Sequence, residues 1–85
     1  MKLQIVERTG PVFDGEVSSV VVPAVNGELG ILPGHTPVLA VLQPGTVRYT
    51  TTDGEQHSAP TGRGFVTLDD DVVMVVVDPV AVPAQ

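Results

Sequence analysis

The side chains that could do chemistry are few: three serines (Ser18, Ser19, Ser58), two histidines (His35, His57), ten acids and four basic residues, with no cysteine. Nucleophilic catalysis needs a serine activated by a histidine that an acid orients, and no serine here sits in a strained elbow such as GxSxG. A metal site needs clustered ligands, and two histidines 22 residues apart without cysteine are a poor set. Each histidine reads instead as a hydrogen-bonded structural residue. Asp69-Asp70-Asp71 lacks the alternating spacing and closing glutamate of a calcium loop, so it reads as a solvated turn whose charges guard an apolar hairpin against edge pairing. Gly62-Arg63-Gly64 is too short to cradle a phosphate and reads as a flexible entry to the next strand. No catalytic residue, cofactor, nucleotide or metal is expected.

The elements that carry these residues belong to one small domain. At 85 residues and 8.8 kDa, the chain can bury only about 60% of its unfolded surface, which leaves no room for two cores. A net charge of −6 removes the basic footprint that draws proteins to nucleic acid. The longest purely apolar run, Val72 to Val77, is six residues, too short for a signal peptide or a membrane helix. Charged residues make up 16% where about 25% is usual, and mean hydropathy is +0.28, so part of the apolar surface is expected to stay exposed as a contact patch.

Glycine and proline divide the chain so finely that a single stretch longer than nine residues, Phe65 to Asp78, lacks both. That stretch is rich in β-branched residues and broken by the three aspartates, which argues for two strands and against a helix. The expected strands are Lys2–Glu7, Val12–Val22 with a bend or bulge at Gly15, Glu28–Leu32, Val38–Gln43, Thr46–Thr52, Glu55–Ala59, Phe65–Leu68 and Val72–Val77. Asn26-Gly27, Pro33-Gly34 and Pro44-Gly45 mark turns, and Asp53-Gly54 marks a two-residue hairpin. Asp78 to Gln85, with Pro79 and Pro83, reads as an extended tail. The class is all-β: a flattened sandwich of about ten short strands in two sheets, with no helical domain.

The segment Gly27 to Gly45, GELGILPGHTPVLAVLQPG, presents Glu28 on a protruding turn, a buried Ile31-Leu32, a rigid Pro33-Gly34 corner, His35 and the apolar strand Val38 to Leu42. Together with FDGEVSSVVVP (Phe13 to Pro23) and GRGFVTLDDDVVMVVVD (Gly62 to Asp78), this run resembles the amino-terminal β-sandwich domain of the epsilon subunit of the F-type ATP synthase. The likeness covers residues 2 to 78, with Arg63 and Gly64 where the family commonly has a Gly-Gly pair.

The resemblance implies a non-catalytic subunit at the foot of the rotor's central stalk, wedged between the gamma subunit and the c ring and coupling ion translocation to ATP synthesis. It implies a ring-facing turn on Asn26, Gly27, Glu28, Leu29 and Gly30, with Glu28 meeting polar, often basic, loops of the c subunits. It implies a gamma-facing surface on His35, Thr36, Pro37, Val38 and Leu42. His35 reads equally as a corner residue bonded to backbone or as a direct contact, and the two are compatible. The domain is expected over residues 1–78 and the tail over 79–85. Longer relatives continue into an inhibitory two-helix hairpin, which the proline-bearing tail cannot form; if the chain naturally ends here it is expected to couple and assemble without inhibiting in that manner, and if it is a shortened piece the inhibitory part has been removed. Its place is expected to be peripheral, on the cytoplasmic face of an energy-transducing membrane such as a bacterial plasma membrane, with no direct membrane insertion. A carrier module of the biotinyl or lipoyl kind would need a lysine on a tight hairpin, and Lys2 is the one lysine present. The competing reading is a free-standing adaptor that binds another protein through its apolar face.

Overall fold

The computed structural model describes residues 1–80. Eight strands follow one another: β1 (Lys2–Glu7), β2 (Gly10–Ala24), β3 (Gly27–Ile31), β4 (Val38–Leu42), β5 (Gly45–Thr51), β6 (Gln56–Thr61), β7 (Gly64–Asp69) and β8 (Val72–Val77). No helix occurs among the described residues. The expected all-β sandwich-like fold is present, with eight strands where about ten were anticipated. The hydrogen bonding is also continuous, one mixed sheet in the order β1-β8-β7-β4-β2-β5-β6 with β3 added to β2. This sheet folds over a single core, giving a flattened body of 42 × 26 × 21 Å. The expected tail falls partly on residues 81–85, outside the described residues.

The economy of strands comes from β2, which runs unbroken for 15 residues and belongs to both leaves. Its first half pairs antiparallel with β1, from Lys2↔Glu16 to Glu7↔Gly10, and its second half pairs with β3 and β5. The two halves have opposite side-chain phase. Val17 points into the core, but so do Val20, Val22 and Ala24, and strict alternation cannot place all four on one face. The register resolves this: Val17 faces Thr51 and Ser19 faces Thr50, so Ser18 is an extra residue in a bulge that flips the phase. A second irregularity skips Val12, between Ile5↔Phe13 and Val6↔Pro11. The bulge expected at Gly15 is therefore displaced to either side of it. Gly15 itself stays in register opposite Leu3, and a Cβ there would meet the Phe13 ring at 3.0 Å.

The turns follow their residue chemistry. Asp70 and Asp71 take left-handed φ values of 52° and 63° and close the β7–β8 hairpin, a conformation that aspartate tolerates better than most residues. Leu32-Pro33-Gly34-His35 is a turn with proline second, glycine third at φ 82°, and the His35 amide donating to the Leu32 carbonyl at 3.1 Å, the pattern of type II. The β5–β6 loop is longer than expected: Thr51 and Glu55 pair across it, leaving three residues, Thr52 to Gly54, with Gly54 at φ 92°. Gly62 and Gly64 are sites of close approach. A Cβ on Gly62 would lie 2.7 Å from the Asp78 carbonyl oxygen, and one on Gly64 would lie 1.9 Å from that of Val76.

Candidate functional site

The potential catalytic groups stay apart or are committed elsewhere. Ser18 donates its hydroxyl to the Thr50 carbonyl at 3.4 Å. His57 stacks on Tyr49 with ring centroids 5.4 Å apart and has its Nε2 3.6 Å from Glu55. Tyr49 in turn packs on Phe13 at 4.4 Å, and burial raises its phenol above the usual value. At the neighbouring loop the Thr51 hydroxyl donates to Asp53, which chiefly accounts for an Asp53 carboxyl held below its ordinary range. A hollow of about 440 Å³ between Ser19, Arg48, Tyr49 and His57 collects polar groups, but Arg48 is bonded to Glu28. No group of three or more potential ligands that could hold a metal occurs among the described residues.

Two surface features stand out, and adjacent strands carry them. The first is the β2–β3 hairpin, a two-residue turn at Val25-Asn26 closed by Ala24↔Gly27. Of the five residues expected on a ring-facing turn, Asn26, Gly27, Glu28 and Gly30 are exposed, whereas Leu29 is half-buried against the core. Strand alternation explains the inward turn of Leu29, which lies two residues before the buried Ile31. Glu28 does not stand alone. Arg48, on β5 across the intervening β2, places Nη2 2.9 Å from both Glu28 carboxylate oxygens.

The second feature is the outer face of β4, β7 and β8. The expected gamma-facing residues divide between exterior and core. His35, Thr36 and Pro37 are exposed, with His35 Nδ1 2.7 Å from the Thr36 carbonyl oxygen. Val38 is half-buried against the core, and Leu42 is 1% exposed within it, so Leu42 offers no surface to a partner. Alternation sends Leu39 (75% exposed) and Val41 (60%) outward instead. Leu32 is likewise exposed, where it was expected to share the burial of Ile31. Register places Val41 opposite Phe65, Leu39 opposite Thr67, and Thr67 opposite Met74, so Leu39, Val41, Phe65 and Met74 form one apolar face. The signal for it lay in the strand VLAVL, apolar at every position, which a half-buried strand does not need.

The two features are stitched together. The Val25 amide donates to the Val41 carbonyl at 3.0 Å, the Gln43 amide to the Pro23 carbonyl at 3.0 Å, and the Gln43 side chain to the Ala24 carbonyl at 3.2 Å. With Ala24↔Leu42 they fasten the hairpin to the strand that carries the apolar face. The Gly34 amide donates to an Asp71 carboxylate oxygen at 3.0 Å, anchoring the corner before β4 to the β7–β8 turn.

A family model described as the β-sandwich domain of the ATP synthase delta/epsilon chain matches residues 1–83. The chain is 44% identical over 75 residues to the ATP synthase epsilon chain of Micrococcus luteus, covering 88% of this chain and 82% of that one. It is 38% identical over 84 residues to the ATP synthase epsilon chain of Dichelobacter nodosus, covering 99% of this chain and 59% of that longer protein. Its fold matches a chain in the Euglena gracilis mitochondrial ATP synthase OSCP/F1/c-ring assembly with a TM-score of 0.79 at 23% identity, over 93% of this chain and 49% of the other. It also matches a chain in the central stalk/c-ring of the Tetrahymena thermophila mitochondrial ATP synthase with a TM-score of 0.74 at 19% identity, over 92% and 63% respectively.

Proposed function

The chain belongs to the β-sandwich family of ATP synthase delta and epsilon chains, and on that premise we propose that it is a non-catalytic subunit of the central stalk, joining gamma to the c ring. The observation that carries this reading is the family match over residues 1–83. The apolar outer face of Leu39, Val41, Phe65 and Met74 is assigned to gamma. A face of this kind on an isolated domain calls for a partner, and its aliphatic and aromatic side chains, gathered around Thr67, are of the kind that interface cores use. The exposed hairpin tip at Asn26, Gly27, Glu28 and Gly30 is assigned to the c ring, with His35 to Pro37 at the margin between the two contacts.

The mechanism is mechanical. A torque entering at the hairpin tip passes to β4 through the backbone bonds of Val25 and Gln43, and from β4 to gamma through the apolar face. The core beneath is one continuous cluster of buried aliphatic side chains, and close-packed protein interiors transmit strain with little compliance. The subunit needs no nucleotide for this task and sits peripherally on the membrane that holds the ring, on its cytoplasmic side. No helix among the described residues is long and apolar enough to cross a membrane.

The test is to tag the chain in its native cells, solubilise the membranes gently and identify what co-purifies. Recovery of gamma with the catalytic subunits and the c ring is the expected result. A different single partner, with no ATPase subunit even after mild cross-linking, overturns the reading and leaves an adaptor of the same fold.

A further inference from the structure

We propose that Asp71 is the positioning residue of the exposed segment His35 to Pro37: its carboxylate pins the corner before β4, so that this segment meets gamma already in place. This rests on the reading of His35, Thr36 and Pro37 as part of the gamma contact.

The six residues between β3 and β4, Leu32 to Pro37, are all exposed, so burial does little to hold them in one conformation. The corner is closed by the His35 amide donating to the Leu32 carbonyl at 3.1 Å, and the His35 ring nitrogen Nδ1 lies 2.7 Å from the Thr36 carbonyl oxygen. Both contacts stay within the segment. Pro33 and Pro37 have no amide hydrogen to offer a neighbour. In a type II turn the amide of the third residue is unused by the turn itself, which leaves the Gly34 N–H available to another part of the chain. Among the described residues, the one hydrogen bond that leaves the segment is the donation of that amide to Asp71 Oδ1 at 3.0 Å.

The backbone that carries this carboxylate is itself held. Asp71 takes a left-handed φ of 63°, and its carbonyl accepts the Lys2 amide at 3.0 Å, so the β7–β8 turn and the start of β1 fix the point from which the side chain reaches. Aspartate tolerates that conformation and brings an acceptor on a short stem, whereas glycine would tolerate the conformation and offer the corner nothing. Asp70 provides the internal comparison. It lies in the same turn at φ 52° and makes no hydrogen bond to the corner among the described residues. A bond from an amide to a carboxylate is charge-assisted and stronger than its neutral counterpart. A segment pinned before binding loses less freedom when a partner covers it, and the saving appears as affinity.

The test compares the full wild-type chain with Asp71→Gly, Asp71→Asn and Asp70→Gly in titrations against purified gamma, thermal melts and amide hydrogen exchange at Gly34. Asp71→Gly keeps the turn and removes the acceptor, Asp71→Asn keeps an oxygen acceptor, and Asp70→Gly makes the same backbone change beside the pin. In the expected result Asp71→Gly weakens gamma binding about three- to tenfold and speeds Gly34 exchange, whereas Asp71→Asn and Asp70→Gly bind within about twofold of wild type. All three variants melt within about 8 °C of wild type. Equal weakening by Asp71→Gly and Asp70→Gly makes turn flexibility the cause and overturns the proposal. So does an Asp71→Asn variant as weak as Asp71→Gly, which makes the charge itself the contact. An Asp71→Gly variant that binds like wild type, while Leu39→Ala still weakens gamma binding, overturns the proposal and leaves the gamma reading standing. If neither Asp71→Gly nor Leu39→Ala changes gamma binding, the gamma reading falls, and the proposal with it.

Discussion

Leu39 and Leu42 lie three residues apart on one strand, and their exchange of roles is the sharpest test of which side of β4 faces gamma. Fully burying a leucine side chain is worth about 1.5–3 kcal/mol. Leu39 is 75% exposed in the free chain, so three quarters of that, roughly 1–2 kcal/mol, is gained only when a partner covers it. Leu39→Ala should therefore weaken gamma binding roughly 5- to 30-fold while leaving the melting temperature almost unchanged. Leu42 is 1% exposed, and its truncation leaves a cavity costing about 2–5 kcal/mol. For a domain of this size that is a fall of roughly 10 °C or more in melting temperature. Binding titrations against purified gamma, paired with thermal melts of each variant, separate the two effects. The reasoning fails if Leu39→Ala binds gamma like wild type, or if it lowers the melting temperature as much as Leu42→Ala does.

Two further substitutions address the fold that holds these faces. Gly64→Ala places a methyl group 1.9 Å from the Val76 carbonyl oxygen, so β7 and β8 must part, and the melting temperature should drop by roughly 10–20 °C; a change under about 3 °C would show that the strands yield easily. Deleting Ser18 removes the extra residue of the bulge and leaves Val17, Val20, Val22 and Ala24 in strict alternation on the core face, so the core stays filled and the loss is confined to the local bend and the Ser18–Thr50 hydrogen bond, about 1 kcal/mol. The expected outcome is a cooperative unfolding transition within about 10 °C of wild type, and the absence of one would refute the phase argument.

Much of the fold was legible because turn chemistry is local. Asp69 to Asp71, Pro33-Gly34 and Asn26-Gly27 each announce a backbone conformation that few other residues adopt, and every one of them lies at or beside a turn. The bulge at Ser18 was hidden for the opposite reason: serine is neutral about that conformation, and the run SSVVVPA carries no alternation that would betray a change of phase. The side of β4 that faces out was hidden because Val-Leu-Ala-Val-Leu is apolar on both faces, so only the partner strand decides which residues it covers. Gly62 and Gly64 looked like flexibility, yet each answers a carbonyl brought near by a strand distant in sequence. The Glu28–Arg48 contact spans 20 residues and depends on three strands being in register, which no local pattern encodes.

The same register gives an exposed ion pair a place in the proposed mechanics. On the proposed reading the hairpin tip takes load from a turning ring, and beside the bonds of Val25 and Gln43 to β4 a pull on Glu28 has two routes. One is the backbone, where β3 is held by β2 alone and forms the free margin of the sheet. A strand with a single hydrogen-bonded neighbour is the first to fray. The other route is the Arg48 side chain, which ties β3 to β5 across the strand between them and so gives β3 an attachment besides β2. In still solvent that attachment is worth little, about 0–1 kcal/mol. Under a lateral pull on Glu28 it lies along the line of force from β3 to β5, whereas the ladder between β2 and β3 alone would be free to splay. If the tip is loaded in this way, Arg48 is expected to contribute more in a turning complex than in a thermal melt of the isolated chain, and an Arg48→Gln variant silent in the melt is expected to lower coupling.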